Sequence, residues 1–327
     1  MNIKAGKKYR LRLINTSVDN FIRVSLDQHN MTVMTSDFIP VVPFSVQTLL
    51  VGIGQRYDVV INANQAAGNY WFRANVATDC LSGNAFYGRA IWTYSTVTAG
   101  TPTTTAYSEP ASCLEPSGIL PYWKQPIPSG AFQSTVESLS VGLTQAQVVP
   151  GGGNVVVWAV NSSSMNIAWD KPTLQYVMDG NTSYPAPLNI LPTVAEGAWN
   201  YWLIQMAPRT PPVPHPIHLH GHDFFVLGQG SGTYTSAVTL NFANPPRRDT
   251  ATLPGGGWLA IAFSSNNPGA WLMHCHIAWH ISEGLGVQFL ESPSQIVMPN
   301  QAEFDNTCNN YKAYYKNAYW KKDDSGL

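Results

Sequence analysis

A stretch near the C-terminus, Trp271-Leu-Met-His274-Cys275-His276-Ile-Ala-Trp279-His280-Ile-Ser-Glu-Gly-Leu285, constrains this chain more than any other. If His274 to His276 are extended, successive side chains face opposite ways, so Cys275 points to one side and both flanking histidines to the other. One strand then serves two metal centres. His280 can fold back to the metal held by Cys275 if the chain turns after His276, which Ile277-Ala278-Trp279 permits.

A second cluster upstream, Pro214-His215-Pro216-Ile217-His218-Leu219-His220-Gly221-His222, supplies what the first lacks. Pro216 restricts His215 to an extended conformation. His215 with Cys275 and His280 makes the His₂Cys trigonal set of a blue-copper electron-transfer site. His218 and His220, again at period two, are left facing other metals. A single His-x-His pair is common in sheets that bind nothing; two dense clusters, one wrapped around a lone cysteine, point to copper.

The motifs HPIHLHGH and HCHIAWHISEGLG resemble the third and fourth copper-binding motifs of multicopper oxidases, specifically of laccases. Tyr9-Arg-Leu-Arg-Leu-Ile-Asn15 and Gly54-Gln55-Arg56-Tyr57-Asp58 resemble the middle domain of the same enzymes, so the likeness runs along the whole chain. The resemblance implies an all-β protein of two cupredoxin-like Greek-key sandwiches, the first incomplete at its N-terminus. It implies His215, Cys275 and His280 at type-1 copper, His218 at type 2, and His220, His274 and His276 at type 3. Electrons from phenols or aromatic amines would pass from Cys275 through His274 and His276, and dioxygen would be reduced to water.

In this family a first domain carries two more His-x-His motifs, and no residue of this chain replaces them. Types 2 and 3 copper are therefore expected only if that first domain is supplied, by another polypeptide in particular. The alternative is a truncated protein holding type-1 copper alone, with electron transfer or little activity. The expected divisions are a middle domain at 1–96, a connection at 97–128, and a C-terminal domain at 129–327 that carries the copper motifs.

Single residues follow from the same resemblance. Leu285 stands where the family places the residue above type-1 copper, and a leucine offers no thioether, which favours Cu(I) and a relatively high potential; its other reading is ordinary core. Asp19 aligns with an acidic position beside the type-1 site and would accept the phenolic proton; its other reading is a solvated turn aspartate. His222 and His29 read as structural histidines. The resemblance pairs Cys80 with Cys113 and ties Cys308 to the absent first domain, so that Cys308 is a reactive free thiol in the chain alone. The tail Asp324-Ser-Gly-Leu327 looks like the processed C-terminus of ascomycete laccases.

Composition sets outer limits. With 18 Lys and Arg against 19 Asp and Glu, and only 11% charged residues, the chain has no electrostatic footprint for nucleic acid or an anionic membrane. No apolar run approaches a membrane span, and the polar, basic N-terminus has no apolar segment of a signal peptide. Secretion is expected instead from the family and from sequons at Asn15, Asn30, Asn161 and Asn181, which suit a glycoprotein. The 24 Pro and 26 Gly among short β-branched and aromatic runs favour strands. These are expected at 9–14, 21–26, 31–36, 57–62, 70–74 and 89–95, then at 154–160, 200–206, 223–227, 258–263, 271–275 and 286–291. Strands missing from the first sandwich would leave an open edge that a partner segment covers.

Overall fold

The computed structural model describes residues 1–130, 132–147, 153–192 and 196–319, which fold mainly into strands. The tail 324–327 lies outside the described residues. In the N-terminal half, a five-stranded sheet runs in the order Asn2–Ile3, Tyr87–Tyr94, Asn69–Val76, Ile22–Leu26, Thr48–Val51. It packs on a four-stranded sheet ordered Lys8–Ile14, Arg56–Asn62, Met31–Ser36, Ile39–Val46. The alternation of each strand buries one face: Val24 and Leu26 meet Met31, Val33, Val59 and Ile61 in one apolar cluster.

The C-terminal half repeats the plan on a larger scale. A six-stranded sheet is ordered Asn154–Val160, Glu137–Gln147, Trp199–Met206, Gly257–Ser264, Phe224–Ser231, Arg247–Arg248. A five-stranded sheet is ordered Ile190–Pro192, Gly286–Glu291, Gly269–Cys275, His215–Leu219, Thr250–Leu253. The strand Gly257–Ser264 reads as a continuous apolar run because it is covered on both faces. Leu259, Ile261 and Phe263 enter the core between the sheets, while Trp258, Ala260 and Ala262 pack beneath Ile127 and Phe132. The turn before it needs Gly256, whose φ of +64° favours glycine.

The two halves share a core and a buried ion cluster. Phe21, Leu50, Ile53, Ala77 and Cys80 of the first half belong to the same apolar cluster as Cys275 and Leu285. Arg248, fully buried, donates through Nε to Asp37 at 2.9 Å and through Nη1 to the Tyr57 hydroxyl at 3.2 Å, with Glu115 3.3 Å from Nη1. Burial works against its charge, but Asp37 and Glu115 outweigh it and hold the guanidinium pKa well above its usual value. Residues 97–128 are tied down at several points: Cys113 is disulfide-bonded to Cys80 with their Cα atoms 5.0 Å apart, and Val42 N–H donates to Leu120 at 2.8 Å.

Several elements differ from the expectation. Ile39–Val46 is a strand despite Pro40 and Pro43, tolerable because it lies at a sheet edge. Glu137–Gln147 is a strand that pairs in parallel with Trp199–Met206. A helix, Gln301–Asn317, follows the last strand; Asn300 caps it by accepting the Glu303 N–H at 3.1 Å and donating back to the Glu303 carboxylate at 3.0 Å. Cys308 on that helix is free of any disulfide, but it is only 7% exposed. It is a free thiol, as expected for the chain alone, and its burial slows attack by reagents. Lys8–Ile14 is an edge strand, with a groove of about 470 Å³ beside it lined by Leu13, Ile14, Ile22 and Phe72 among others.

Candidate metal centre

The two motif segments are neighbouring strands of one sheet. His215–Leu219 runs antiparallel to Gly269–Cys275, with Ile217 opposite Cys275, His218 opposite His274 and Leu219 opposite Met273. Opposed residues share a face. His215, Ile217, Leu219 and Cys275 therefore look into the sandwich, while His218, His220 and His274 look out of the other face. The His276 N–H donates to the Pro216 carbonyl at 2.7 Å and keeps the segments together past the end of the ladder.

On the inner face, the helix Ala278–Ser282 turns the chain back as the sequence allowed. Cys275 Sγ lies 3.5 Å from His215 Nδ1 and 3.6 Å from His280 Nδ1, and the two nitrogens are 3.1 Å apart. The point equidistant from these three atoms is about 2.0 Å from each, within the roughly 2.0–2.3 Å of metal bonds to nitrogen and sulfur. Burial pushes the Cys275 thiol pKa up, so that ionising it requires a cation alongside. Burial also pulls His280 down to about 4, and burial, then His280, pulls His215 well below its ordinary value. Both imidazoles are neutral near pH 7, as ligation requires. The donor set fits a copper ion.

Other groups shape this pocket. Ile277 N–H donates to Cys275 Sγ at 3.4 Å. Trp158 closes the inner side, its ring centroid 4.6 Å from those of both His215 and His280. Leu285, 2% exposed, accepts the Cys275 N–H at 3.2 Å and donates its own N–H to the His280 carbonyl at 2.9 Å. The loop containing the half-buried Asp19 reaches the same helix, where the Val18 carbonyl accepts the Ala278 N–H at 3.0 Å.

On the outer face, His218, His220 and His274 each offer a ring nitrogen within 4.8 Å of the others. His220 Nε2 and His274 Nε2 are 3.2 Å apart. The His276 ring stands beside them, its centroid 5.6 Å from that of His274 and 5.8 Å from that of His218. His274 is pulled down to about 3, mainly by burial, and burial likewise lowers His220 and His276. A set of neutral imidazoles again suits a transition metal.

The remaining two histidines belong to neither face. His222 Nε2 is 2.9 Å from the buried Glu291 carboxylate, and His29 sits in the first core with Nδ1 2.8 Å from the Asp27 carbonyl and Nε2 3.0 Å from the Tyr94 hydroxyl. Asn15 is not an available sequon, because its amide is 7% exposed and donates to the carbonyls of Asn20 and Val51. Sequence reasoning missed Trp158 and Asp249, and gave Arg56 no role. Each arrives from a distant part of the chain, so no local spacing marks it.

Two family models, both described as multicopper oxidase, match residues 1–96 and 159–295. Laccase-3 of Botryotinia fuckeliana is 50% identical over 298 residues, which cover 88% of this chain and 65% of that protein. The laccase of Neurospora crassa is 41% identical over 348 residues, covering 100% of this chain and 55% of its own length. The crystal structure of the laccase from Botrytis aclada superposes with a TM-score of 0.90 at 38% identity, covering 100% of this chain and 60% of that one. Fet3p, a multicopper oxidase that functions in iron import, shares the fold at a TM-score of 0.80 and 22% identity. The chain thus spans 55% to 65% of the length of these curated relatives. Its sandwiches are cupredoxin-like.

Proposed function

Since this chain belongs to the multicopper oxidase family, whose members use copper, we propose that it is the larger part of a laccase-type oxidase acting on phenols or aromatic amines. Copper at the two faces supplies one-electron oxidation of the substrate and reduction of dioxygen to water. One observation carries the reading: a single residue, Cys275, places its sulfur against His215 and His280 while its covalent neighbours His274 and His276 stand with the opposite cluster.

His215, Cys275 and His280 would hold type-1 copper, His218 type-2 copper, and His220, His274 and His276 type-3 copper. With metal held at both faces, the backbone either side of Cys275 would be the covalent link between them. His280 is only partly buried and lies on a surface helix, so its outer edge is where an aromatic substrate donates. Asp19, on the adjoining loop, would accept the phenolic proton. Leu285, buried beside Cys275 and His280, offers no donor atom and would add no fourth ligand to the set. The expected division at 1–96, 97–128 and 129–327 places both copper faces in the last of these units.

The outer cluster holds only His218, His220, His274 and His276 among the described residues. We propose that a first-domain polypeptide with two further His-x-His pairs completes it and pairs with Cys308. That same count favours a second reading, in which the chain alone carries type-1 copper and little oxygen chemistry. An extracellular setting fits the Cys80–Cys113 disulfide and the exposed sequons at Asn30 and Asn161. No helix among the described residues is long and apolar enough to cross a membrane.

The test is copper content, visible absorption and phenol oxidation with dioxygen uptake, measured on the chain with and without such a polypeptide. Blue absorption in both samples, with dioxygen uptake only in the second, is the expected result. A copper-replete chain with no thiolate-to-copper absorption would overturn the assignment.

A further inference from the structure

The outer cluster rests on a turn contributed by the N-terminal half. Gly54 has a φ of +80°, and a Cβ built on it would lie 2.7 Å from His276 Nε2, so the bare backbone is what lets that ring sit where it does. Two residues on, Arg56 forms a two-pronged pair with Asp249, Nη1 to Oδ1 at 2.6 Å and Nη2 to Oδ2 at 2.5 Å, and Nη1 also donates to the Gly54 carbonyl at 2.8 Å. The Asp249 carbonyl lies 2.8 Å from His218 Nδ1, and Thr250 Oγ1, which donates to Asp249 Oδ1 at 2.9 Å, lies 3.1 Å from the same nitrogen. A carbonyl can only accept, so Nδ1 carries the proton and Nε2 keeps its lone pair. One turn therefore touches two of the candidate ligands, His276 by shape and His218 through Asp249.

We infer that the Gly54–Arg56 turn is a positioning element for the outer metal cluster, with Arg56 anchoring Asp249, whose backbone carbonyl together with Thr250 Oγ1 sets the tautomer and orientation of His218, and with Gly54 fixing the ring of His276. This rests on the ligand reading proposed above. The arrangement matches a general pattern in which the ring N–H remote from the metal is held by a second group, whose loss lowers metal affinity roughly 10- to 100-fold. The planar fork of Arg56 matters as well as its charge, because a lysine cannot bind both carboxylate oxygens in one plane.

The experiment compares the unsubstituted chain with Arg56→Met, Arg56→Lys and Gly54→Ala, using added Cu(II) as the probe. Three readouts are taken: the thiolate-to-copper absorption from Cys275, the electron paramagnetic resonance signal of histidine-bound copper, and the ¹⁵N shifts of the metal-free His218 ring. Arg56→Met is expected to leave the thiolate band intact, to weaken histidine-bound copper about 10- to 100-fold and to mix the His218 tautomers; Arg56→Lys falls between. Gly54→Ala is expected to weaken the same copper while His218 stays the Nδ1–H tautomer. If folded Arg56→Met binds histidine-site copper as the unsubstituted chain does and its His218 remains a single tautomer, the turn has no positioning role. If the unsubstituted chain shows no histidine-bound copper even with the first-domain polypeptide present, the ligand set fails and this role with it.

Discussion

Cys275 Sγ lies 3.6 Å from His280 Nδ1 because a five-residue helix, Ala278–Ser282, reverses the chain straight after the strand that carries the thiol. The sulfur is the sole thiolate candidate at this face among the described residues, the other free cysteine being on the C-terminal helix. Cys275→Ser should abolish both the blue absorption and phenol oxidation. Survival of the blue band would place the copper elsewhere.

Leu285 joins Cys275 and His280 by backbone hydrogen bonds and shares their core cluster. Leu285→Met adds a thioether of similar volume, costing under about 1.5 kcal/mol in packing. It should lower the type-1 reduction potential with copper still bound. Redox titration followed at the blue band is the measurement, and an unchanged potential would show that residue 285 does not reach the metal.

The buried histidines set a pH dependence for the metal-free chain. His274 and His280 fall from 6.5 to about 3 and about 4 in the folded state, so between those values the unfolded chain binds protons that the folded chain refuses. Stability should therefore be independent of these two groups above pH 6.5 and decline as pH falls from 6.5 towards 4. Urea midpoints in chelator across that window test this; a flat profile would refute it, and an unchanged decline after both residues were replaced would show that other groups govern it.

Arg248 joins the halves through the fully buried Asp37 and Tyr57 and the partly buried Glu115. Arg248→Met removes the cation that faces the buried Asp37 carboxylate, a loss that typically costs about 3–5 kcal/mol. Arg247→Met, at a half-buried neighbour paired with Asp223, should cost under about 1 kcal/mol. Equal urea midpoints for the two variants would mean that the buried cluster contributes little.

Cys308 should label slowly in the native chain and fast in denaturant, because it lies on the buried side of the helix Gln301–Asn317. Rapid labelling with a maleimide under native conditions would show that this side of the helix is not shielded.

Strands with clear alternation were legible in the sequence: Met31–Ser36 and Gly286–Glu291 begin and end where the pattern does. The histidine clusters were legible for the same reason, since period two assigns each donor to a face before any tertiary contact is known. Ile39–Val46 was hidden by its prolines, and Glu137–Gln147 by polar residues. Gln301–Asn317 carries an Asn300 and Glu303 capping signal that went unread, because its faint amphipathicity buries little besides Cys308. Trp158, Asp249 and the role of Arg56 were beyond local reading, since folding alone brings them to the histidines.

The ladder that sets Ile217 opposite Cys275 also limits how such a site can change over time. A one-residue deletion ahead of His274 would exchange faces, presenting sulfur to the outer cluster and an imidazole to the inner one. Insertions of odd length have the same effect, so this segment tolerates substitution far better than any change of length. Natural variation in redox behaviour must then accumulate in residues that surround the strand, such as Leu285 and Trp158, while the spacing between the two metal faces stays constant.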